Sequence, residues 1–204
     1  KSVLDAGTGT GHRLIEAAAA FNQTRFLAVD LSETPLRIAR EVAAHEGVKN
    51  VEFQSFNLME DDQALGSFDM ILSMGVIHYL ADPARGLRNL VRNLSDEGIL
   101  FLYIYGKHGS HERMRRKQIV SLLRTGRQQD FELGIRLVKD LGFDSFDYGW
   151  NLNVDDEASK NGLIVDAYLN VNETLFDSES IFDLMRSSGL HGFLVYGLTL
   201  GQRG

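Results

Sequence analysis

Three glycines at alternate positions, Gly7, Gly9 and Gly11, follow the apolar residues Val3 and Leu4 and precede a helix-forming stretch, His12 to Phe21. Without Cβ atoms such a loop turns tightly and lets a ligand approach its amides, while the helix behind it offers unpaired N–H groups. The pattern is a cradle for a small molecule. A dinucleotide fingerprint needs G-x-G-x-x-G, but the residue after Gly11 is His12, and the Gly-Lys-Ser/Thr of a P-loop is missing. Asp5, where the apolar run meets the loop, would repel a phosphate and suits an amino group or its water shell. The chemistry therefore favours a ligand that is cationic near this point.

A second acid, Asp30, closes the run Arg25 to Asp30 about 20 residues beyond the loop, where a doubly wound sheet places a carboxylate to accept ribose hydroxyls. The competing reading of Asp30 is an acid ahead of the helix that Ser32 and Pro35 begin. Asn57, after the alternating stretch Asn50 to Phe56, both donates and accepts; it can meet a base edge or cap a turn. His78, just beyond the run Ser67 to Gly75, is of the side-chain type that most often serves as a general base. Alternatively its ring packs in the wall of the site or caps the loop. Tyr79 is its neighbour and a weaker candidate.

The stretch Val3-Leu4-Asp5-Ala6-Gly7-Thr8-Gly9-Thr10-Gly11 resembles the first motif of class I S-adenosylmethionine-dependent methyltransferases, in particular the broad methyltransferase-domain families acting on small molecules or proteins. The resemblance covers about 1–105 and, more loosely, 166–198. It implies S-adenosylmethionine as cofactor and S-adenosylhomocysteine as product. It also implies cofactor contacts from Asp5, Gly7, Gly9, Gly11, Asp30, Leu31, Asn57, Leu58 and Ser73, with the Leu58 amide meeting a ring nitrogen of the adenine. His78 and Tyr79 are the catalytic candidates. Tyr105, Tyr168 and Asn170 are the candidates for binding the acceptor. The Asp-Pro-Pro-Tyr-type motif of base amino methylation is absent, and no set of residues at metal-ligand spacing is visible.

Strands and helices must alternate to position these residues. Pro35 suits the first turn of a helix whose apolar face is Leu36, Ala39, Val42 and Ala43 and which Gly47 ends. Asp82 and Pro83 read as N-cap and first position of another, with Leu87, Leu90, Val91 and Leu94 as its stripe. Ser95 to Gly98 reads as a turn into a strand, Ile99 to Tyr105. The alternation predicts an α/β fold, a doubly wound and mostly parallel sheet, with the first and fourth strands side by side at the switch point. Residues 1–106 form the cofactor-binding core. Residues 107–175 form an insertion after the fifth strand, a lid or substrate subdomain, with helices over His111 to Leu123 and Asp130 to Leu141 and an irregular stretch from Gly142 to Leu175. Residues 176–204 return to the core as a helix, Ser178 to Ser188, and a strand, Phe193 to Tyr196.

The 204 residues suit one such domain, and the 44% hydrophobic content supplies a core. With no Cys there is no disulfide, no thiolate metal site and no cysteine nucleophile, which excludes the cytosine C5 mechanism. No run of about 18 apolar residues is present, so the expectation is a cytoplasmic protein without membrane association. The chain starts with Lys1 two residues before the first strand, and an N-terminal segment is expected to precede it. Seven Lys and Arg residues lie between Lys107 and Arg127 against one acid, Glu112, on a chain of net charge −7. The overall charge disfavours nucleic acid as partner and favours O- or N-methylation of a small metabolite or a carrier-bound intermediate. The alternatives are a protein or RNA methyltransferase docking through 107–127, and a noncatalytic methyltransferase-like module.

Overall fold

The computed structural model describes residues 1–60, 64–145 and 157–194. Two compact units divide the chain, one of 1–105 and 173–191, the other of 106–172 with the stretch from 192.

In the first unit five strands, β1 (Ser2–Ala6), β2 (Arg25–Asp30), β3 (Val51–Ser55), β4 (Phe68–Met74) and β5 (Leu94–Tyr103), form one parallel sheet in the order β3-β2-β1-β4-β5. The order reverses between β1 and β4, as expected for a doubly wound sheet, with Leu4 opposite both Leu27 and Ile71. The helices are α1 (His12–Ala20), α2 (Glu33–His45), α3 (Pro83–Val91) and α7 (Ser178–Ser187). Leu4, Ala6, Ile71, Leu87 and Leu90 are fully buried in the largest cluster, against which Ile181 and Met185 of α7 pack. Each fully buried leucine there contributes about 1.5–3 kcal/mol. Asp82 caps α3 by accepting from the Arg85 N–H at 2.9 Å, with Pro83 at the first position.

The stretch Ser95 to Gly98 is not a turn ahead of β5. The strand begins at Leu94, and its register against β4 jumps from Phe68–Leu94 to Met70–Ile99. The polar residues bulge within the strand, and Gly98 fits because any Cβ there would lie 2.8 Å from the Leu94 side chain.

The second unit holds α4 (His111–Leu123), α5 (Phe131–Asp140) and α6 (Glu157–Ile164), the last continuing into a π turn, Val165–Leu169. The irregular reading of Gly142 to Leu175 is corrected over 157–169, and its part at 146–156 lies outside the described residues. The π turn adds a residue to the helical repeat, so Ile164, Ala167, Tyr168 and Leu169 all reach the cluster built on Val120 and Val138 and the 3.6-residue period is lost. Phe193 and Leu194 lie outside any strand, and the rest of the expected final strand, Val195 and Tyr196, falls outside the described residues.

Candidate functional site

The glycine loop joins β1 to α1, and the N–H groups of Gly7 and Thr8 both donate to the Val29 carbonyl, at 2.8 and 3.0 Å. All three glycines have positive φ, 82°, 58° and 73°. Two of them are also needed for packing. A Cβ on Gly7 would lie 2.2 Å from Val76 Cγ2, just past β4, and one on Gly11 would lie 2.9 Å from Ala39 Cβ on α2. A Cβ on Gly9 would meet nothing within 4 Å, so the middle of the loop opens on free space.

Asp30, at the end of β2, accepts from the Gly9 N–H at 2.9 Å through Oδ2 and from the Ser32 N–H at 3.0 Å through Oδ1. Each oxygen keeps a second lone pair for a ligand hydroxyl. Burial holds the Asp5 carboxyl above its ordinary value, and the Asp30 charge pushes the same way. The Thr8 side chain and the Arg13 charge draw it part of the way back. Asp5 is thus desolvated beside Thr8, while Asp30 is tied to the backbone of the loop at Gly9.

Beyond β3, Asn57 forms a turn. Its Oδ1 accepts from the Met59 N–H at 3.0 Å and its Nδ2 donates to Glu60 Oε1 at 3.2 Å. The Leu58 side chain is buried in the main core, leaving its backbone as the part that can face a ligand. Leu31 is 70% exposed. Ser73 is fully buried, and its Oγ has no hydrogen-bond partner among the described residues.

The 3-10 turn Ile77–Tyr79 brings His78, Tyr79 and Tyr105 together. His78 is fully buried, its ring centroid 4.1 Å from that of Tyr79 and 4.3 Å from that of Tyr105. Tyr103, which the sequence reading did not select, joins them at 6.0 Å from Tyr105. The returning chain ties the two sides together: the Thr174 N–H donates to the His78 carbonyl at 2.7 Å, and the Phe176 N–H to the Tyr105 carbonyl at 3.2 Å.

Tyr168 and Asn170 belong to the second unit. Tyr168 is buried in its core and donates its hydroxyl to the Phe143 carbonyl at 3.1 Å, while Asn170 Nδ2 donates to the Asp166 carbonyl at 3.2 Å. The basic segment likewise turns partly inward. Lys117 and Arg124 are buried, Arg113 donates to the Ala167 carbonyl at 2.9 Å, and Arg116 pairs with Glu112 at 3.0 Å. Among the described residues no helix is long and apolar enough to cross a membrane.

Sequence reasoning missed Asn89 and Asn93, which are buried on and just after α3. Asn89 Nδ2 donates to the carbonyls of Leu58 and Glu60, at 2.9 and 3.1 Å, and Asn93 Oδ1 accepts from the Leu65 N–H at 2.8 Å. The signal was a pair of asparagines four residues apart among the apolar residues at the end of α3.

A glycine cradle, a carboxylate after β2 and a turn after β3, all at the carboxyl ends of a doubly wound sheet, define a nucleoside-binding Rossmann-like fold. Residues 1–124 match the sequence profile of a family described as a methyltransferase domain, and the chain belongs to that family, whose cofactor is S-adenosylmethionine. An uncharacterized protein of Synechococcus is 29% identical over 195 residues, which cover 92% of this chain and 46% of that protein. The malonyl-[acyl-carrier protein] O-methyltransferase of Bacillus cereus is 30% identical over 125 residues, 57% of this chain and 44% of the enzyme. PKMT2 from Rickettsia typhi, solved in complex with AdoHcy, shares the fold with a TM-score of 0.63 at 21% identity, over 91% of this chain and 38% of that one. The chain thus spans less than half the length of these relatives.

The residues fit the cofactor. The open face of Gly9 admits a ligand where a side chain would block it, the Ser73 hydroxyl is left without a partner, and the carboxylates of Asp5 and Asp30 are of a kind that suits an ammonium and a ribose.

Proposed function

We propose that the chain is an S-adenosylmethionine-dependent methyltransferase of a small metabolite or a carrier-bound intermediate, acting at oxygen or nitrogen. Asp5 receives the amino group of the cofactor's methionine part, the open side of the glycine loop at Gly9 lies against it, Asp30 accepts the ribose hydroxyls, and the Asn57–Leu58 turn borders the adenine. Bound there, the cofactor supplies an electrophilic methyl on a sulfonium, and the chain's task is to align an acceptor with it and keep water out. The observation that carries this reading is the Asp30 carboxylate held by the Gly9 amide beside open space.

The complete burial of His78 supports a wall role, with Tyr79, Tyr103 and Tyr105 forming the aromatic side of the acceptor site. The resemblance to a malonyl-[acyl-carrier protein] O-methyltransferase supports a carrier-bound acceptor. The inward-turned cations of α4 weaken the reading of 107–127 as a nucleic-acid dock, since phosphate neutralisation needs exposed charge.

Calorimetric titration with S-adenosylhomocysteine, wild type against Asp30→Ala, tests the cofactor site; transfer of labelled methyl to malonyl-acyl carrier protein tests the acceptor. Micromolar binding that the substitution weakens is expected. Wild-type protein that binds no S-adenosylhomocysteine overturns the reading.

A further inference from the structure

In the turn that borders the proposed base site the obvious side chain already makes local hydrogen bonds. Both functions of the Asn57 carboxamide are engaged within its own turn, by Met59 and Glu60. The Leu58 N–H, in contrast, makes no hydrogen bond among the described residues. A backbone amide recognises a ring nitrogen only if the backbone is held at the right angle, and that turn is held from behind. Asn89 Nδ2 reaches the carbonyls of Leu58 and Glu60, at 2.9 and 3.1 Å, and its Oδ1 accepts from Arg92 Nη1 at 3.2 Å, which fixes the orientation of the carboxamide. Asn89 in turn gives its own carbonyl to Asn93 Nδ2 at 2.8 Å, on the side of the helix that holds Leu65.

We propose that Asn89 is a positioning residue for base recognition: by gripping the Leu58 and Glu60 carbonyls it sets the direction of the Leu58 N–H, and through it the choice of adenine over hypoxanthine. The inference rests on the cofactor reading above. Adenine N1 is an acceptor and satisfies an N–H; hypoxanthine N1 carries a proton and leaves that N–H facing another donor. A site built to use one hydrogen bond discriminates strongly against a ligand that cannot make it.

The test compares S-adenosylhomocysteine with S-inosylhomocysteine by calorimetry. Wild type is expected to prefer the adenine ligand by about tenfold or more. Asn89→Ala should bring the ratio toward about twofold, and Asn89→Ser, which fills more of the space, serves if the alanine variant does not fold. Asn93→Ala, equally buried, is the control. It should lower Tm and leave the ratio unchanged. A folded Asn89 variant that keeps the wild-type ratio, a wild type without preference, or an equal loss in Asn93→Ala overturns the inference. Wild type that binds neither ligand overturns the cofactor reading itself.

Discussion

The Gly9 N–H donates to Asp30 Oδ2 at 2.9 Å, so the tip of the loop after β1 is fastened to the end of β2 by the same carboxylate proposed to hold the ligand. The Ser32 N–H takes the other oxygen, and the acid is oriented before any ligand arrives. Asp30→Ala should weaken S-adenosylhomocysteine binding by about 1–3 kcal/mol and lower stability by about 1–2 kcal/mol, because two backbone donors and the ribose lose one acceptor. Calorimetry and thermal unfolding of the same pair report both. Unchanged affinity removes Asp30 from the cofactor site.

The three glycines should separate in their effects. Gly7→Ala drives a methyl against Val76 at an unfavourable positive φ and should cost about 2–4 kcal/mol. Gly11→Ala, against Ala39, should behave similarly. Gly9→Ala has room and should cost only about 1 kcal/mol in stability, yet it should lose S-adenosylhomocysteine affinity because its methyl enters the ligand's space. Equal Tm losses at Gly7 and Gly9, with affinity retained at Gly9, would place the ligand elsewhere.

Much of this was legible in the sequence because it depends on local rules. The apolar runs of β1, β2 and β4, the proline and acid that start α3, and the glycine loop each declare themselves within a few residues, and the strand order follows from the alternation. What escaped depends on distant partners. Nothing near Asn89 announces that its carboxamide reaches across to Leu58 and Glu60, and nothing near Gly7 announces Val76. The π turn hid the last part of α6 because an inserted residue removes the periodicity that marks a helix. The basic segment is a further case: composition counts charges, while only packing decides that Lys117 and Arg124 are buried.

Asp5 gives the chain a pH signature. Its folded pKa is raised above its ordinary 3.8, chiefly by burial, so the ionised form is penalised on folding. The favourable, protonated contribution is present below the unfolded value and is lost as pH rises through the folded one. Asp5→Asn should therefore raise Tm at pH 7, and the advantage should close as pH falls toward 3.8. The same substitution should weaken S-adenosylhomocysteine binding at pH 7 if the carboxylate meets the amino group. A constant Tm difference across pH 3–7 would mean that Asp5 is not desolvated.

His78 divides a packing role from a chemical one. Its ring lies 4.1 and 4.3 Å from two tyrosine rings with no exposed surface, so His78→Ala should open a cavity and cost about 2–4 kcal/mol, lowering cofactor affinity with it. His78→Phe restores an aromatic ring of similar shape and should return most of the stability and the affinity. For a wall residue, turnover on whatever acceptor is found should fall by less than about tenfold in the phenylalanine variant. A general base contributes about 10²-fold or more, and its loss is not repaired by a ring without nitrogen. A pH–rate profile sharpens the choice, since a base acting through His78 leaves an acidic limb in wild type that His78→Phe abolishes. A low turnover with normal S-adenosylhomocysteine binding and a flattened acidic limb would make His78 the base despite its burial, whereas full activity with the limb retained would assign that limb to another group.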